Sequence, residues 1–306
     1  MNEETEKIVQ EIGKVIKGKD RVVRKVLAAV LAQGHVLLED IPGVGKTTLA
    51  LALAGTMDLK YRRTQFTPDV LPSDIVGFMM YNSGTGEFEY REGVIFCNLF
   101  LADEINRTSA KTQSALLEAM EEGKVTVEGT THKLPQPFFV IATENPVGSS
   151  GTQLLPESQL DRFIVRLSMG YPSEKAAVEI LKNSSKSTLQ KVEQVITIQR
   201  LMQLQETAAN MYVHDKMYEY IVKLTEATRK DERISLGVSP RGSIALLKMA
   251  KATALMRGGE YVIPEDVQDI IADTWAHRIR LSSKAKAEGW NATRVIMELT
   301  ERISTI

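Results

Sequence analysis

The sequence predicts an α/β fold, in which a three-layer domain with a mostly parallel sheet is followed by a smaller helical domain. Short apolar runs alternate with helical segments up to about residue 170, and this alternation is typical of parallel sheets covered by helices on both faces. After Tyr171-Pro172 the strand-like runs stop and helix starts recur. We therefore expect an α/β domain over residues 1–170, and a linker with a helical domain over residues 171–306.

Four short apolar runs between polar residues are candidate buried strands of the sheet: HVLLE (35–39), NLFLA (98–102), FFVIA (138–142) and IVRLS (164–168). A more polar segment, YRRTQF (61–66), is a possible further strand. Residues 3–33 have helical periodicity with breaks at Gly13 and Gly18, and residues 47–55 read as a helix that Gly55 ends.

The second domain has three clear helix starts, where a proline lies at or near the first helical position. They are Pro172-Ser173-Glu174, Ser239-Pro240-Arg241 and Ile263-Pro264-Glu265-Asp266. The polar stretch LKNSSKSTLQKVEQ (181–194) is the expected linker.

Two insertions interrupt the strand–helix rhythm and are expected to project from the sheet as hairpins. Residues 77–93 have Gly and Asn at their centre with flanking aromatics, and residues 124–134 alternate around Glu128-Gly129. They are either plain surface loops or contacts for a partner, and the pattern alone leaves both open.

The composition argues against several functional classes. The chain has 306 residues, 43% of them hydrophobic, and a net charge of −1, so no broad positive field attracts nucleic acid or membranes. Its single cysteine, Cys97, excludes an internal disulfide and fits a reducing compartment. The acidic N-terminus is unlike a secretory signal, and no early apolar run could span a bilayer. We expect a cytoplasmic protein. The histidines lack metal-ligand spacing, and structural or surface roles are expected for His35, His132, His214 and His277.

The stretch DIPGVGKTT (40–48) nearly matches the phosphate-loop pattern G-x-x-x-x-G-K-[ST], with Asp40 in place of the first glycine. A strand precedes it and a helix follows, so backbone N–H groups and the helix N-terminus can converge on phosphate oxygens. Lys46 would bridge the β- and γ-phosphates, and the Thr47 hydroxyl would ligate Mg²⁺. The predicted phosphate-binding residues are Pro42, Gly43, Val44, Gly45, Lys46, Thr47 and Thr48.

A second strand, NLFLADE (98–104), ends in two carboxylates. Adjacent carboxylates repel each other, and a Mg²⁺ ion on the phosphates would relieve that cost. Asp103 would hold the metal through water, and Glu104 would act as general base on the attacking water.

Three further polar residues are candidates on weaker local grounds. Asn145 follows a buried strand before Pro146, at the sheet edge where ligands bind in parallel α/β folds, although an ordinary Asn-Pro turn is the alternative. Arg241 lies in the first turn of a helix, where a cation is unfavourable unless an anion such as a phosphate is close. Arg162 precedes the last strand, and a salt bridge with Asp161 is its plainest explanation.

In order and spacing, these motifs resemble those of the MoxR-type AAA+ ATPases, in the branch with a helix-2 insert and a pre-sensor-1 hairpin. The resemblance extends from about Ile16 to beyond Pro264, over most of the chain. It rests on DIPGVGKT, LADEINR, SALLEAMEEGKVTVEG, ATENP, LPESQLDRF and GVSPRGS. It implies a P-loop NTPase (AAA+) core with a C-terminal helical lid domain, and hexamers with ATP sites between subunits.

The resemblance also implies roles for individual residues. Gly43, Gly45, Lys46 and Thr47 match Walker A, and Asp103 with Glu104 matches Walker B. By the same resemblance, Asn145 is sensor 1, Arg162 the arginine finger, Arg241 sensor 2, Val15, Ile16 and Gly18 the adenine-pocket segment, and Arg107 a residue that could reach a neighbouring subunit.

MoxR-type proteins act as chaperone-like ATPases that assemble or insert metal into partner proteins, often with partners that contain a von Willebrand factor A domain. The resemblance therefore implies ATP and Mg²⁺ as cofactors and a separate protein as client or adaptor. Three alternatives stay open: a DNA-translocating, MCM-like ATPase, the ATPase subunit of a magnesium-chelatase-like complex, and a nucleotide switch without turnover. Lys124, His132 and Lys133 of the second hairpin are offset by nearby glutamates, which disfavours DNA, and the Asp103-Glu104 pair disfavours the switch.

Overall fold

The computed structural model describes residues 2–41, 43–145, 155–183 and 192–304. The strands in these ranges are β1 (His35–Glu39), β2 (Tyr61–Gln65), β3 (Gly77–Asn82), β4 (Glu87–Glu92), β5 (Leu99–Asp103), β6 (Lys124–Val127), β7 (Thr130–Lys133), β8 (Phe139–Glu144), β9 (Phe163–Leu167), β10 (Ile234–Leu236) and β11 (Arg280–Leu281).

The helices are α1 (Glu3–Gly13), α2 (Asp20–Leu31), α3 (Lys46–Thr56), α4 (Pro72–Val76), α5 (Ala110–Glu122), α6 (Glu157–Leu160), α7 (Glu174–Asn183), α8 (Ile198–Ala209), α9 (Asp215–Lys230), α10 (Pro240–Arg257), α11 (Pro264–Gln268), α12 (Ile271–Trp275), α13 (Ser283–Ala287) and α14 (Ala292–Arg302). Within the described ranges, one 3-10 turn covers Ile105–Arg107.

In the described part of the chain, the central sheet has five parallel strands in the order β2-β5-β8-β1-β9. These are the five candidate strands of the sequence, and the predicted parallel α/β core is confirmed. Because all five strands run the same way, the loops after them meet at one edge of the sheet. The residues that precede them lie at the opposite edge.

Alternation along β1, β5 and β8 divides the sheet between two cores. Leu38 and Leu101 face the core that contains α1, α2, α3 and much of the lid. Leu37 and Phe100 face the core that contains α4 and α5. Successive side chains of a strand point to opposite faces, so helices cover both faces and the architecture has three layers.

The helix after β1 does not end at Gly55, as the sequence predicts, but continues to Thr56. A Cβ atom on Gly55 would lie 2.6 Å from Val192 Cγ2. The glycine is therefore explained by close packing against the chain that enters the lid, rather than by helix termination.

Both predicted hairpins are present and lie outside the central sheet. β3 pairs with β4, and β6 pairs with β7, each as an antiparallel ribbon. The two ribbons contact each other through Tyr90 and His132, whose rings stack with centroids 3.7 Å apart.

The expectation that strands stop after Tyr171-Pro172 is wrong in one detail. β10 and β11 form a small antiparallel ribbon in which Ile234 pairs with Leu281. Strands of three and two residues are too short for a periodic pattern, and their pairing depends on contacts made by the folded lid. Of the predicted linker over 181–194, the first three residues belong to α7, and residues 184–191 lie outside the described residues. In the part of the chain that the structure describes, no helix is long and apolar enough to cross a membrane.

Candidate functional site

The predicted phosphate loop lies at the carboxyl edge of the sheet, between β1 and α3. Gly43 and Gly45 have φ angles of +85° and +97°, in a region that side chains with a Cβ rarely adopt. Gly45 is also the N-cap of α3 and provides no side-chain cap. The first N–H groups of the helix are therefore available to an anion. Pro42 lies outside the described residues.

Asp40 replaces the first glycine of the pattern, and its buried carboxylate has structural partners. It accepts hydrogen bonds from the backbone N–H groups of Met169 and Gly170 and from Ser168 Oγ. The side chain therefore ties the start of the loop to the segment after β9. It has no position among the phosphate-binding N–H groups.

We expect Asp40→Gly, which restores the consensus glycine, to destabilise the protein. It leaves two backbone N–H groups without their acceptor, which costs roughly 2–4 kcal/mol of unfolding free energy. Urea denaturation would measure the loss. Asp40→Asn keeps one oxygen acceptor and should lose less. A glycine variant as stable as the wild type would contradict this role for Asp40.

Lys46 is buried at the first position of α3, and its Nζ donates to the Asp40 carbonyl oxygen at 2.7 Å. Burial lowers the pKa of Lys46 below its usual value, against the opposing effect of the Asp103, Asp40 and Glu104 carboxylates. A buried ammonium group held beside carboxylates is suited to binding a polyphosphate, because added negative charge offsets its desolvation.

Asp103, at the end of β5, is held by two neighbouring strands. Its Oδ1 accepts from Thr143 Oγ1 at 2.6 Å, and its Oδ2 accepts from the Arg63 guanidinium at 2.6 Å. Neither partner is predicted by the sequence motifs, although two consecutive arginines at 62 and 63 in a short strand indicate a nearby carboxylate. Because Arg63 and Thr143 fix the rotamer, the carboxylate has a defined direction at the sheet edge.

Glu104 has a left-handed backbone, with φ of +57°, where the chain leaves β5. Its N–H donates to Thr143 Oγ1 at 2.8 Å, and its carboxylate accepts from Asn145 Nδ2 at 3.0 Å and from Arg107 at 2.7 Å. Burial raises the pKa of Glu104, but the hydrogen bonds from Arg107 and Asn145 together lower it below its usual value. The side chain is therefore ionised at neutral pH, as a general base must be. Arg107, which the resemblance directs to a neighbouring subunit, pairs here with Glu104 of its own chain.

Asn145 lies beside Glu104 and has an unused acceptor. Its amide oxygen is buried and has no hydrogen-bond partner among the described residues. Such an atom in a polar site is suited to a water molecule or a ligand donor. Pro146, on which the sequence argument for Asn145 partly rested, lies outside the described residues.

Ile16 and Gly18 border the phosphate loop from the N-terminal side. An added Cβ on Gly45 would lie 3.6 Å from Ile16 Cδ1, and one on Gly18 would lie 3.6 Å from the Ala176 Cβ. The segment between α1 and α2 therefore lies between the loop and the start of the lid, where a base next to the phosphates would be enclosed.

Arg162 and Arg241 lie together, but not at this edge. Arg162 Nη1 forms an ion pair with Glu121 at 2.5 Å and donates to the Leu117 carbonyl oxygen at 2.8 Å. Arg241 donates to the other carboxylate oxygen of Glu121. The expected Arg162–Asp161 salt bridge is wrong. Asp161 pairs instead with Arg278, a buried lid residue, at 2.7 Å.

The two arginines are separated from the phosphate loop of their own chain by the length of the sheet. Phe163, which follows Arg162, pairs with His35 at the start of β1, whereas the phosphate loop follows the end of β1. With a rise of about 3.3 Å per residue, the ends of β1 lie roughly 13 Å apart. Arg162, Arg241 and Glu121 line a pocket of ≈ 400 Å³ at the amino edge.

The carboxyl-edge residues fit a nucleotide with Mg²⁺. Three features support the fit: the uncapped N-terminus of α3, the buried ammonium of Lys46 and the unpartnered oxygen of Asn145. Thr47 and Asp103 supply a hydroxyl and a carboxylate, the hard oxygen ligands that Mg²⁺ prefers.

Comparison with protein families gives two matches. Residues 35–165 match the family described as "ATPase family associated with various cellular activities (AAA)", and residues 226–299 match the AAA lid domain. The matched segments contain the central sheet with its phosphate loop and most of the helices after α8.

Full-length relatives are similar along the whole chain. The uncharacterised protein YeaC of Bacillus subtilis is 50% identical over 97% of this chain and 93% of its own length. Chaperone MoxR1 of Mycobacterium tuberculosis is 39% identical over 98% of this chain and 81% of its own length. Among solved structures, a Cytophaga hutchinsonii protein assigned as an ATPase is 36% identical and superposes with a TM-score of 0.92, over 99% of this chain and 95% of its own.

Proposed function

This chain belongs to the MoxR-type AAA+ ATPases, and from that premise we propose that it hydrolyses ATP with Mg²⁺ between subunits of a ring, to remodel or assemble partner proteins. The ATPase activity follows from the family. The metal, the ring and the work done on partners are the proposed parts.

One observation carries the proposal: the residues suited to hydrolysis form two groups at opposite edges of the sheet. Lys46, Asp103 and Glu104 are grouped at the carboxyl edge, whereas Arg162 and Arg241 are grouped at the amino edge. Both guanidinium groups are bound to Glu121, at the edge of the sheet opposite the phosphate loop of their own chain. A complete site therefore needs the carboxyl edge of one subunit and the amino edge of the next.

In the first group, we assign binding to the phosphate loop and chemistry to the ends of β5 and β8. Gly43 to Thr48, with Pro42, would surround the phosphates, while Ile16 and Gly18 would contact the base. Thr47 and Asp103 would hold Mg²⁺, which shields phosphate charge and orients the γ-phosphate when bound. Glu104 would accept the proton of the attacking water, and Asn145 would orient that water.

In the second group, we assign Arg162 as the finger and Arg241 as a second cation that acts on the neighbour's nucleotide. Arg162 comes from the core and Arg241 from the lid, yet both guanidinium groups meet at Glu121. This convergence supports the same role for both, in trans. Contacts of this head-to-tail kind close into a ring when the rotation permits, and a hexamer is the proposed size.

The proposed clients are other proteins. Chaperone MoxR1 supports a chaperone-like role by its similarity. The proposed role includes metal insertion into a client and recruitment through a von Willebrand factor A domain. The first hairpin supplies a candidate contact surface, because Tyr81 and Phe88 pair edge to face while remaining 56% and 67% exposed. The proposed domain boundary stays at residue 170, with the lid and its linker over residues 171–306.

The metal requirement is tested by phosphate release. We expect turnover of ATP in the presence of Mg²⁺, and its loss when EDTA removes the metal, because Thr47 and Asp103 then hold no cation against the phosphates. Added magnesium should restore the rate. Full turnover in EDTA would contradict the metal assignment.

The client is tested by affinity capture of the Glu104→Gln variant with ATP. A hydrolysis-deficient ring should retain proteins that the wild type releases. The matched control is Lys46→Ala, which should not bind ATP productively and should retain fewer proteins. The same set of proteins on both variants would contradict ATP-dependent client binding.

A further inference from the structure

We propose that Glu121 is a positioning residue that holds Arg162 and Arg241 in the geometry in which they meet the neighbouring subunit's nucleotide. This inference rests on the proposed action of both arginines in trans. It assigns a role to a carboxylate that makes no contact with the nucleotide site of its own chain.

The Glu121 carboxylate bridges the two arginines. One carboxylate oxygen forms an ion pair with Arg162 Nη1 at 2.5 Å, and the other accepts a hydrogen bond from Arg241 Nη2. Two guanidinium groups in one pocket repel each other, and a shared carboxylate between them removes that repulsion. Because one arginine comes from the core and the other from the lid, the Glu121 bridge also sets their relative position across the two parts of the chain.

The Glu121 bridge leaves guanidinium N–H donors of both arginines available for a ligand. A guanidinium has five N–H donors. Glu121 contacts one nitrogen of each arginine, and Leu117 accepts from the same nitrogen of Arg162. Among the described residues, the structure gives no partner to the remaining donors of either group. Both arginines can therefore bind phosphate oxygens while they stay bonded to Glu121.

The backbone beside each arginine is held independently of Glu121. Arg278 donates to the carbonyl oxygens of Phe163 and Ile164, at 2.7 and 3.1 Å. Its Nε also bonds the Asp161 carboxylate, which accepts in turn from Ser239, the N-cap of the helix that carries Arg241. Loss of the Glu121 charge should therefore disturb the guanidinium groups and leave the fold in place.

The test uses Glu121→Gln in the full-length chain. At saturating ATP we expect turnover to fall by ~10- to 100-fold, the effect of losing charge-assisted hydrogen bonds that position catalytic groups. The affinity for a fluorescent ATP analogue, which depends mainly on the subunit's own phosphate loop, should change far less than turnover. Glu121→Asp keeps the charge and should recover part of the rate.

The matched control is Glu122→Gln. Glu122 is the next residue on the same helix, is exposed, and lies 3.5 Å from Lys124. The control should retain wild-type turnover. A Glu121→Gln variant with wild-type or higher turnover would overturn the proposal, because Glu121 would then be neutral or a competitor of the phosphates.

Mixing experiments separate positioning in trans from general damage. Glu121→Gln should regain activity when mixed with Lys46→Ala, since about one quarter of the interfaces in an equal mixture pair an intact loop with intact arginines. It should regain none with Arg162→Ala, because both variants then lack the same half-site.

Different outcomes of the mixing experiments test the role of Glu121 and the action of the arginines in trans. If Lys46→Ala and Arg162→Ala restore each other but Lys46→Ala does not restore Glu121→Gln, only the role of Glu121 is wrong. Equal restoration of Glu121→Gln by both partners would overturn that role as well. If no pair restores activity, the action of the arginines in trans fails, and the role of Glu121 fails with it.

Discussion

Replacing Glu104 with Gln is expected to reduce ATP turnover by about 10²- to 10⁴-fold, the contribution of a positioned general base. ATP binding should be retained. The substitution removes the acceptor for the water proton but leaves the phosphate loop and Lys46 in place. Among the single substitutions considered, this one separates binding from chemistry most cleanly.

The structure gives the reason for so large an effect. Asn145 and Arg107 hold the Glu104 carboxylate at 3.0 and 2.7 Å and lower its pKa against the effect of burial. A glutamine has the same shape but cannot accept a proton at neutral pH, and its single oxygen can replace only one of the two acceptors used by Asn145 and Arg107. The base and its alignment are therefore lost together.

Steady-state phosphate release and equilibrium binding of an ATP analogue would measure the two quantities. Glu118→Gln, on the exposed side of α5, is the matched control and should behave as the wild type. Normal turnover by Glu104→Gln would show that another group activates the water, and the Walker B assignment would be wrong.

The second large effect is expected from two variants that are inactive alone and active together. Arg162→Ala should lose about 10³- to 10⁵-fold in turnover, as expected for an arginine finger. Lys46→Ala should be inactive because its phosphate loop is incomplete. An equal mixture should regain partial activity, since some interfaces then combine an intact loop with an intact arginine.

The measurement is the ATPase rate of the mixture after the subunits exchange, compared with the sum of the separate rates. Arg302→Ala, which removes an exposed arginine 3.7 Å from Glu298, controls for loss of charge alone and should keep wild-type turnover. A mixture no faster than its components would contradict the placement of Arg162 at a neighbour's site.

The sequence by itself determined the α/β class and the chemistry of the carboxyl edge. Four of the five strands of the described sheet coincide with apolar runs, because a strand buried on both faces must be continuously apolar. The fifth, β2, is a more polar edge strand with partly exposed residues. The loop from Gly43 to Thr47 is one contiguous segment, and Asp103 and Glu104 are adjacent. The spacing of the residues within each motif therefore already predicts its local geometry. Similarity to MoxR1 and the AAA profiles confirmed the family that these motifs indicate.

Only the tertiary structure decided which distant residues meet. Arg162 lies 41 positions after Glu121, and Arg241 lies 79 positions after Arg162, yet both guanidinium groups bind the Glu121 carboxylate. On local sequence alone, a salt bridge with the adjacent Asp161 was the plainest explanation of Arg162, because a local pattern does not specify contacts between distant residues. Local patterns fix strands, turns and helix ends through interactions a few residues long. Ion pairs between a helix, a strand end and the lid depend on how those elements pack. For the same reason Asp40 looked like a missing glycine in the sequence, and the fold reveals it as the tie to the chain after β9.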